Sequence, residues 1–193
     1  WNQFKTSGAG MSNKAAHAKV KTPLYTSEQR ERRDSTVWTV VQGVLAPLQF
    51  LVFLVSLFFI ARYFFTGDGY LLAAYSVVFK TIVLLIIMVS GAVWEKVVFG
   101  QYLLAPAFFW EDIVSFFVIA LHLAYVLVFL GNFLSNDLKL GLALFAYGLY
   151  LVNAAQFLLK LRAARTSLST ITDQEREANA STRLLRFKYQ EAA

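Results

Sequence analysis

Four long apolar stretches dominate the chain, and each is bordered by a short polar or glycine-containing break. A helix crossing the hydrocarbon of a bilayer needs about 20 mostly apolar residues. The pattern predicts spans over Val37–Ala61, Tyr70–Phe99, Ile113–Leu134 and Leu138–Leu161. The fold class expected is therefore all-α: a polytopic membrane protein of four transmembrane helices. The first span is no signal peptide, because it starts far from the N-terminus, is too long and has no small-residue cleavage site. Residues 1–36 read as a basic tail with a short interfacial helix, 37–161 as the membrane domain, and 162–193 as a second basic, helical tail. Thr26-Ser27-Glu28-Gln29 and Thr172-Asp173-Gln174-Glu175 both fit the capping box that opens a helix. After the second box, Leu184, Leu185 and Phe187 alternate with Arg183, Arg186 and Lys188, as on an interfacial helix. The run from Gly8 to Val20 has no periodicity and reads as unstructured without a partner. Met11 is a candidate natural start, which would make residues 1–10 an upstream extension.

Composition sharpens this picture. Of 193 residues, 58% are hydrophobic and 16% charged, against about half and a quarter in soluble domains. Cysteine is absent, which excludes thiolate catalysis, disulfide frameworks and iron–sulfur ligation. With two histidines, His17 and His122, a bis-histidine haem protein is excluded in practice. The net charge of +6 lies in the tails. Basic tails beside membrane spans attract anionic lipid and fix orientation, and no nucleic-acid-binding module accompanies the charge. Both tails are basic and the span count is even, so both termini are expected on the cytoplasmic side. The Gly100–Asp112 connection would then face the cytoplasm too. On such a tail, Asn179-Ala180-Ser181 is a chance match to a glycosylation sequon.

Polar groups are costly in hydrocarbon, so their positions carry the chemistry. Gln42, Gln49, Glu95, Lys96, Glu111, Asp112, Asn153, Gln156 and Lys160 fall in the cytoplasmic half. Lys80 and His122 lie near mid-membrane. The outer half is apolar and aromatic. This asymmetry argues against a through-going pore and for a pocket opening at the cytoplasmic end. Several positions have ordinary explanations: Trp94 and Trp110 as interfacial anchors, Lys96, Lys160 and Arg162 as snorkelling cations, Gln49 and Asn153 as interhelical glue. Glu95, Glu111 and Asp112 fit these less well, because orientation needs bases there. Partly desolvated neighbouring carboxylates share protons, which is the chemistry of a general acid; an ion pair with Lys96 is the structural alternative. His122 reads equally as a histidine bonded to a neighbouring helix or as an axial ligand to the metal of a tetrapyrrole.

Several runs resemble the bacteriochlorophyllide vinyl-hydratase family of phototrophic bacteria. They are Leu24-Tyr25-Thr26-Ser27-Glu28-Gln29-Arg30, Val40–Phe50, Gly91–Gly100, Leu104-Ala105-Pro106-Ala107-Phe108-Phe109-Trp110-Glu111-Asp112 and Asn153–Leu161. The resemblance covers about residues 24–165. It implies a hydro-lyase that adds water across the C3 vinyl group of a chlorophyllide or bacteriochlorophyllide, giving a 1-hydroxyethyl group during bacteriochlorophyll a synthesis. The implied location is the bacterial inner, intracytoplasmic photosynthetic membrane. No cofactor is required, and the bound pigment is a magnesium chlorin or bacteriochlorin. Catalytic roles are expected for Glu95 and Glu111 as candidate acids and for Asp112 in orienting water. Gln49, Asn153 and Gln156 would hold ring carbonyls or water, Lys96 or Arg162 the propionate, and His122 the magnesium. A second reading stays open at this point. The chain could be a non-catalytic subunit of a reaction-centre or light-harvesting complex, recruited from the same family.

Overall fold

The structure, a computed structural model, describes residues 24–191; several side chains beyond Thr166 lie outside that description. The run from Gly8 to Val20 and the candidate start at Met11 fall outside it too, as do the side chains of Leu184, Leu185 and Phe187. Five helices follow in order: α1 Ser27–Ser35, α2 Val37–Thr66, α3 Tyr70–Phe99, α4 Phe109–Gly131 and α5 Asn136–Glu191. Four of them are long and apolar enough to cross a membrane, α5 over Asn136–Thr166. The chain is a multi-pass membrane protein.

The helix ends follow local chemistry. Thr26 caps α1 in a full capping box: Gln29 N–H donates to Thr26 Oγ1 at 3.2 Å, and Thr26 N–H donates to Gln29 Oε1 at 2.9 Å. Helix α2 runs past the predicted end at Ala61, because Arg62 can snorkel and does not stop a helix. The stop is Gly67, left-handed at φ 77°, followed by Gly69 at φ 85°. Helix α4 begins four residues before the predicted Ile113, which brings Glu111 and Asp112 inside its first turn. Helix α5 passes through Thr172–Glu175 without a break. From Leu149 to Glu191 the sequence has neither glycine nor proline to end it.

Packing is closest between α2 and α3 and between α4 and α5, and α3 also meets α1, α4 and α5. The main core gathers Phe53, Ile60, Val77, Leu84, Val118, Tyr125 and Tyr147. A polar layer crosses its middle. Tyr147 Oη donates to Ser56 Oγ at 2.6 Å, and Ser56 and Ser76 share a hydrogen bond of 2.7 Å. Lys80 Nζ lies 2.9 Å from His122 Nε2, and both residues are fully buried.

A second cluster closes the end of the bundle that carries α1. Tyr25, Val98, Phe108 and Ala164 are buried there, with Trp94, Phe99 and Phe157 around them. Tyr25 stacks on Phe99 with centroids 5.8 Å apart, so the start of α1 is pinned across the ends of α3 and α4. Burial pushes the Tyr25 phenol above its ordinary value, while the Arg33 guanidinium beside it pulls the other way.

Candidate active site

The three acids singled out in the sequence meet at the α1 end, but not as a Glu95–Glu111 pair. Glu95 is on the last turns of α3, and Glu111 and Asp112 are on the first turn of α4. Neighbouring helical residues point about 100° apart, so Asp112 turns to α3 and Glu111 to α5. Asp112 and Glu95 bring their carboxyl groups close enough to interact directly. Ionised carboxylates only accept and repel each other, so two carboxyls brought this close favour holding one proton between them. Glu111 instead forms an ion pair with Lys160 Nζ at 2.6 Å. The cation engaging an acid is thus Lys160 and not Lys96. Lys96 Nζ donates to Gly100 O at 2.8 Å and sits 5.2 Å from the Tyr102 ring centroid.

The connection between α3 and α4 folds over the carboxyl pair. Leu104 N–H donates to Asp112 Oδ2 at 2.7 Å, and Ala105 N–H donates to Glu95 Oε2 at 3.3 Å. Two consecutive amides therefore hold one carboxyl each. Leu104 takes φ 59° to present them, a left-handed conformation that costs a leucine about 1–2 kcal/mol. Pro106 disfavours a helical backbone at Ala105, so the helix cannot begin there. Glu95, Glu111 and Asp112 are 5%, 8% and 3% exposed, so the expected pocket is closed over in this conformation. An apolar groove lies on another face, lined by Trp38, Ile82, Ile86, Val89 and Ser90, and it contains no candidate residue.

A line of carboxamides leads inward from the acids. Asn153 Nδ2 donates to Ser115 Oγ at 2.8 Å, and Ser115 Oγ donates to Glu111 O at 2.9 Å. Asn153 Oδ1, Gln156 Oε1 and both polar atoms of the Gln49 side chain are buried without partners among the described residues. Phe53 packs on Tyr150 with centroids 5.1 Å apart. One turn toward the acids from that contact are Gln49 on α2 and Asn153 on α5, at the same level. Arg162 is exposed on α5. Trp94 does more than anchor the interface: its Nε1 donates to Thr39 Oγ1 at 2.9 Å, tying α3 to α2. Trp110 is 69% exposed, as an anchor would be.

His122 does not suit the role of magnesium ligand. Its Nδ1 bonds to Val118 O at 2.7 Å, its Nε2 faces Lys80, and its ring stacks on Tyr147. No nitrogen lone pair is left for a metal. Among the described residues no cluster of three or more His, Cys, Asp or Glu side chains could hold a resident ion. Sequence reasoning missed the amides of Leu104 and Ala105, the Ser115 bridge and the partnership of Lys160. Two of these carry a spacing signal: Ser115 is four residues after Glu111, and Lys160 is four after Gln156, each on a shared helix face.

The sequence profile described as 2-vinyl bacteriochlorophyllide hydratase matches residues 25–163. The chain belongs to that family. It is 60% identical over 146 residues to the 2-vinyl bacteriochlorophyllide hydratase of Cereibacter sphaeroides, covering 75% of this chain and 90% of that one. The protein of the same name from Rhodobacter capsulatus is 59% identical over 143 residues, 74% of this chain and 82% of that relative. No solved structure matches significantly. The matched stretch begins at Tyr25 and ends at Ala163. In this hydratase family member it therefore takes in the carboxyl pair, its covering loop and the carboxamide line.

Proposed function

We propose that the chain is a hydro-lyase that hydrates the vinyl group of a bacteriochlorophyllide during bacteriochlorophyll synthesis. The ring position is number 2 in the older nomenclature and C3 in the current one. Family membership supports the reaction. The adjoining, buried Glu95 and Asp112 carboxyls under their two loop amides are the observation that carries the chemistry. Adding water to a vinyl group on a macrocycle starts with a proton delivered to the terminal carbon. The positive charge then forms on the carbon next to the ring, which delocalises it, and water attacks there. A proton must finally leave that oxygen.

The pair supplies both proton transfers. Its shared proton goes to the terminal carbon, which becomes a methyl group. The carboxylates left behind stabilise the cation by their field and accept the proton of the attacking water, restoring the pair. The amides of Leu104 and Ala105 hold the two carboxyls in register. Glu111, ion-paired to Lys160, adds negative potential and is not the proton donor. Gln49, Asn153 and Gln156 offer unpartnered amide atoms to water or to ring carbonyls. The addition balances with water alone, so the reading calls for no cofactor; the magnesium of the pigment belongs to the substrate. Lys96 and Arg162 stand at the rim of the site.

The α1 end faces the cytoplasm in this reading. Residues 1–36 carry seven Lys and Arg against three acids, and residues 160–193 seven against four. The membrane is then the bacterial inner, photosynthetic membrane, with anionic lipid around the basic tails. The relatives' names are those of enzymes, so the reading as a non-catalytic subunit of a reaction-centre or antenna complex gains no support.

The test is vinyl hydration by the purified chain and by Glu95→Gln, Asp112→Asn and Glu111→Gln. The first two should lose about a hundredfold or more in turnover, the usual contribution of general acid–base catalysis. Glu111→Gln should lose less. Full activity in all three variants would end the scheme.

A further inference from the structure

Three cations near the carboxyl pair are engaged, and Arg162 is exposed to solvent. Lys160 is held by Glu111, Lys96 by the Gly100 carbonyl, and Arg33 by Asp34 at 2.7 Å with its guanidinium 4.8 Å above the Tyr25 ring. Arg30 differs. Its Nε is buried and has no hydrogen-bond partner among the described residues. Arg32, two positions on, is exposed. Arg30 therefore lies on the inner side of α1, with Thr26 and Arg33 one turn away on either side.

A buried guanidinium N–H without an acceptor is unfavourable, and folding gives it nothing here. Such a donor fits a planar anion, because Nε and a terminal nitrogen of arginine match the two oxygens of a carboxylate. We propose that Arg30 is the carboxylate-binding residue of the site and docks the free propionate of the bacteriochlorophyllide. This rests on the hydratase reading above. The ending of the relatives' printed substrate name denotes a pigment whose propionate is not esterified.

The placement suits a macrocycle. Tyr25 packs against Val98 and Phe108, and these are one turn from Glu95 and from Asp112 respectively. Arg30 lies five residues beyond Tyr25, about 4.5 Å along α1 from its first residue, Ser27. At this end of the bundle Tyr25, Trp94, Phe99 and Phe108 form one packed aromatic patch. A flat apolar ring entering beside this patch, with the covering loop displaced, would present its vinyl edge to the carboxyl pair and its propionate edge to α1. Vinyl and propionate sit on neighbouring pyrrole rings at well-separated edges of the macrocycle, so two separate polar stations complement it. Specificity for the free acid then resides on α1, outside the membrane spans.

The experiment compares the free-acid vinyl pigment with its methyl ester, using the full chain in lipid nanodiscs. Pigment binding is read by fluorescence titration and hydration by absorbance. The wild type should bind the acid more tightly than the ester. Arg30→Gln should weaken acid binding about ten- to a hundredfold, the value of a charge-assisted hydrogen bond, and leave the ester unchanged. Arg30→Lys should fall between. Arg32→Gln, on the outer face, should match the wild type. Equal loss for acid and ester, or no loss for either, would overturn the assignment. So would a loss seen with anionic lipid but absent in purely zwitterionic nanodiscs, which would make a lipid phosphate the ligand. Binding is read without turnover. A wild type that never hydrates the vinyl group would sink the hydratase reading, while the acid-to-ester ratio still decides Arg30.

Discussion

The buried Lys80–His122 pair makes a quantitative test of what belongs to the chemistry and what to the fold. Lys80 is fully buried in the core of α3, 2.9 Å from His122 Nε2 and 3.9 Å above the Tyr150 ring. Among the described residues it forms no ion pair with a carboxylate. Glu95 is fifteen residues along the same helix, about 22 Å away. That exceeds the reach of a side-chain contact, so the pair should bind α3 to α4 and take no part in proton transfer.

Two opposing terms set the magnitudes. His122→Leu strands the Lys80 amine in an apolar core, and removing one partner of a buried polar pair costs about 3–5 kcal/mol. Lys80→Met instead removes the group that is hardest to bury and leaves one imidazole nitrogen unmatched, at about 1–3 kcal/mol before the gain from the apolar replacement. The net cost should be under about 2 kcal/mol. The double variant leaves nothing stranded and should be close to the wild type. The shortfall from additivity should therefore be about 3–5 kcal/mol, the cost His122→Leu carries alone. Unfolding in detergent micelles, followed by helical circular dichroism, measures all four proteins. Additive costs, or Lys80→Met as damaging as His122→Leu, would refute the argument. Hydration should persist within a few-fold in every variant. Loss of hydration by a folded Lys80→Met protein would instead place the pair in the mechanism.

Three further expectations follow from the same geometry. Leu104→Gly should keep or raise the thermal midpoint, since relief of left-handed strain of about 1–2 kcal/mol offsets the lost side chain, whereas Leu104→Val should lower it. Lys160→Met leaves Glu111 without its cation and should cost about 2 kcal/mol, less than a fully buried pair because Lys160 is 23% exposed; Glu111→Gln in the same chain should restore most of it, as read by unfolding. Gln49→Leu deletes two buried unpartnered polar atoms and should raise stability by about 1–3 kcal/mol while lowering the hydration rate. A less stable Gln49→Leu protein would mean that the amide has a structural partner after all.

The span count was legible in the sequence because hydrophobic length is an averaged property that tolerates errors of a few residues. The start of α4 was not. No side chain caps it, and Phe108 takes the N-cap position with its backbone alone. The four-residue shift matters because it puts the acids on a helical turn, where adjacent positions diverge. Glu95, Glu111 and Asp112 could be picked out from residue type and depth, but their pairing could not. Pairing is decided by which helix each side chain faces and by a loop whose backbone donors leave no mark in the composition. His122 shows the opposite limit. A lone membrane histidine keeps two readings until the partners of both nitrogens are seen, and here Lys80 and Val118 take them. In the proposed reading, the polar atoms that folding leaves unmatched are those free to meet the ligand. By that criterion the Gln49–Asn153–Gln156 line and Arg30 have capacity to spare for a ligand, while Lys80 and His122 satisfy each other.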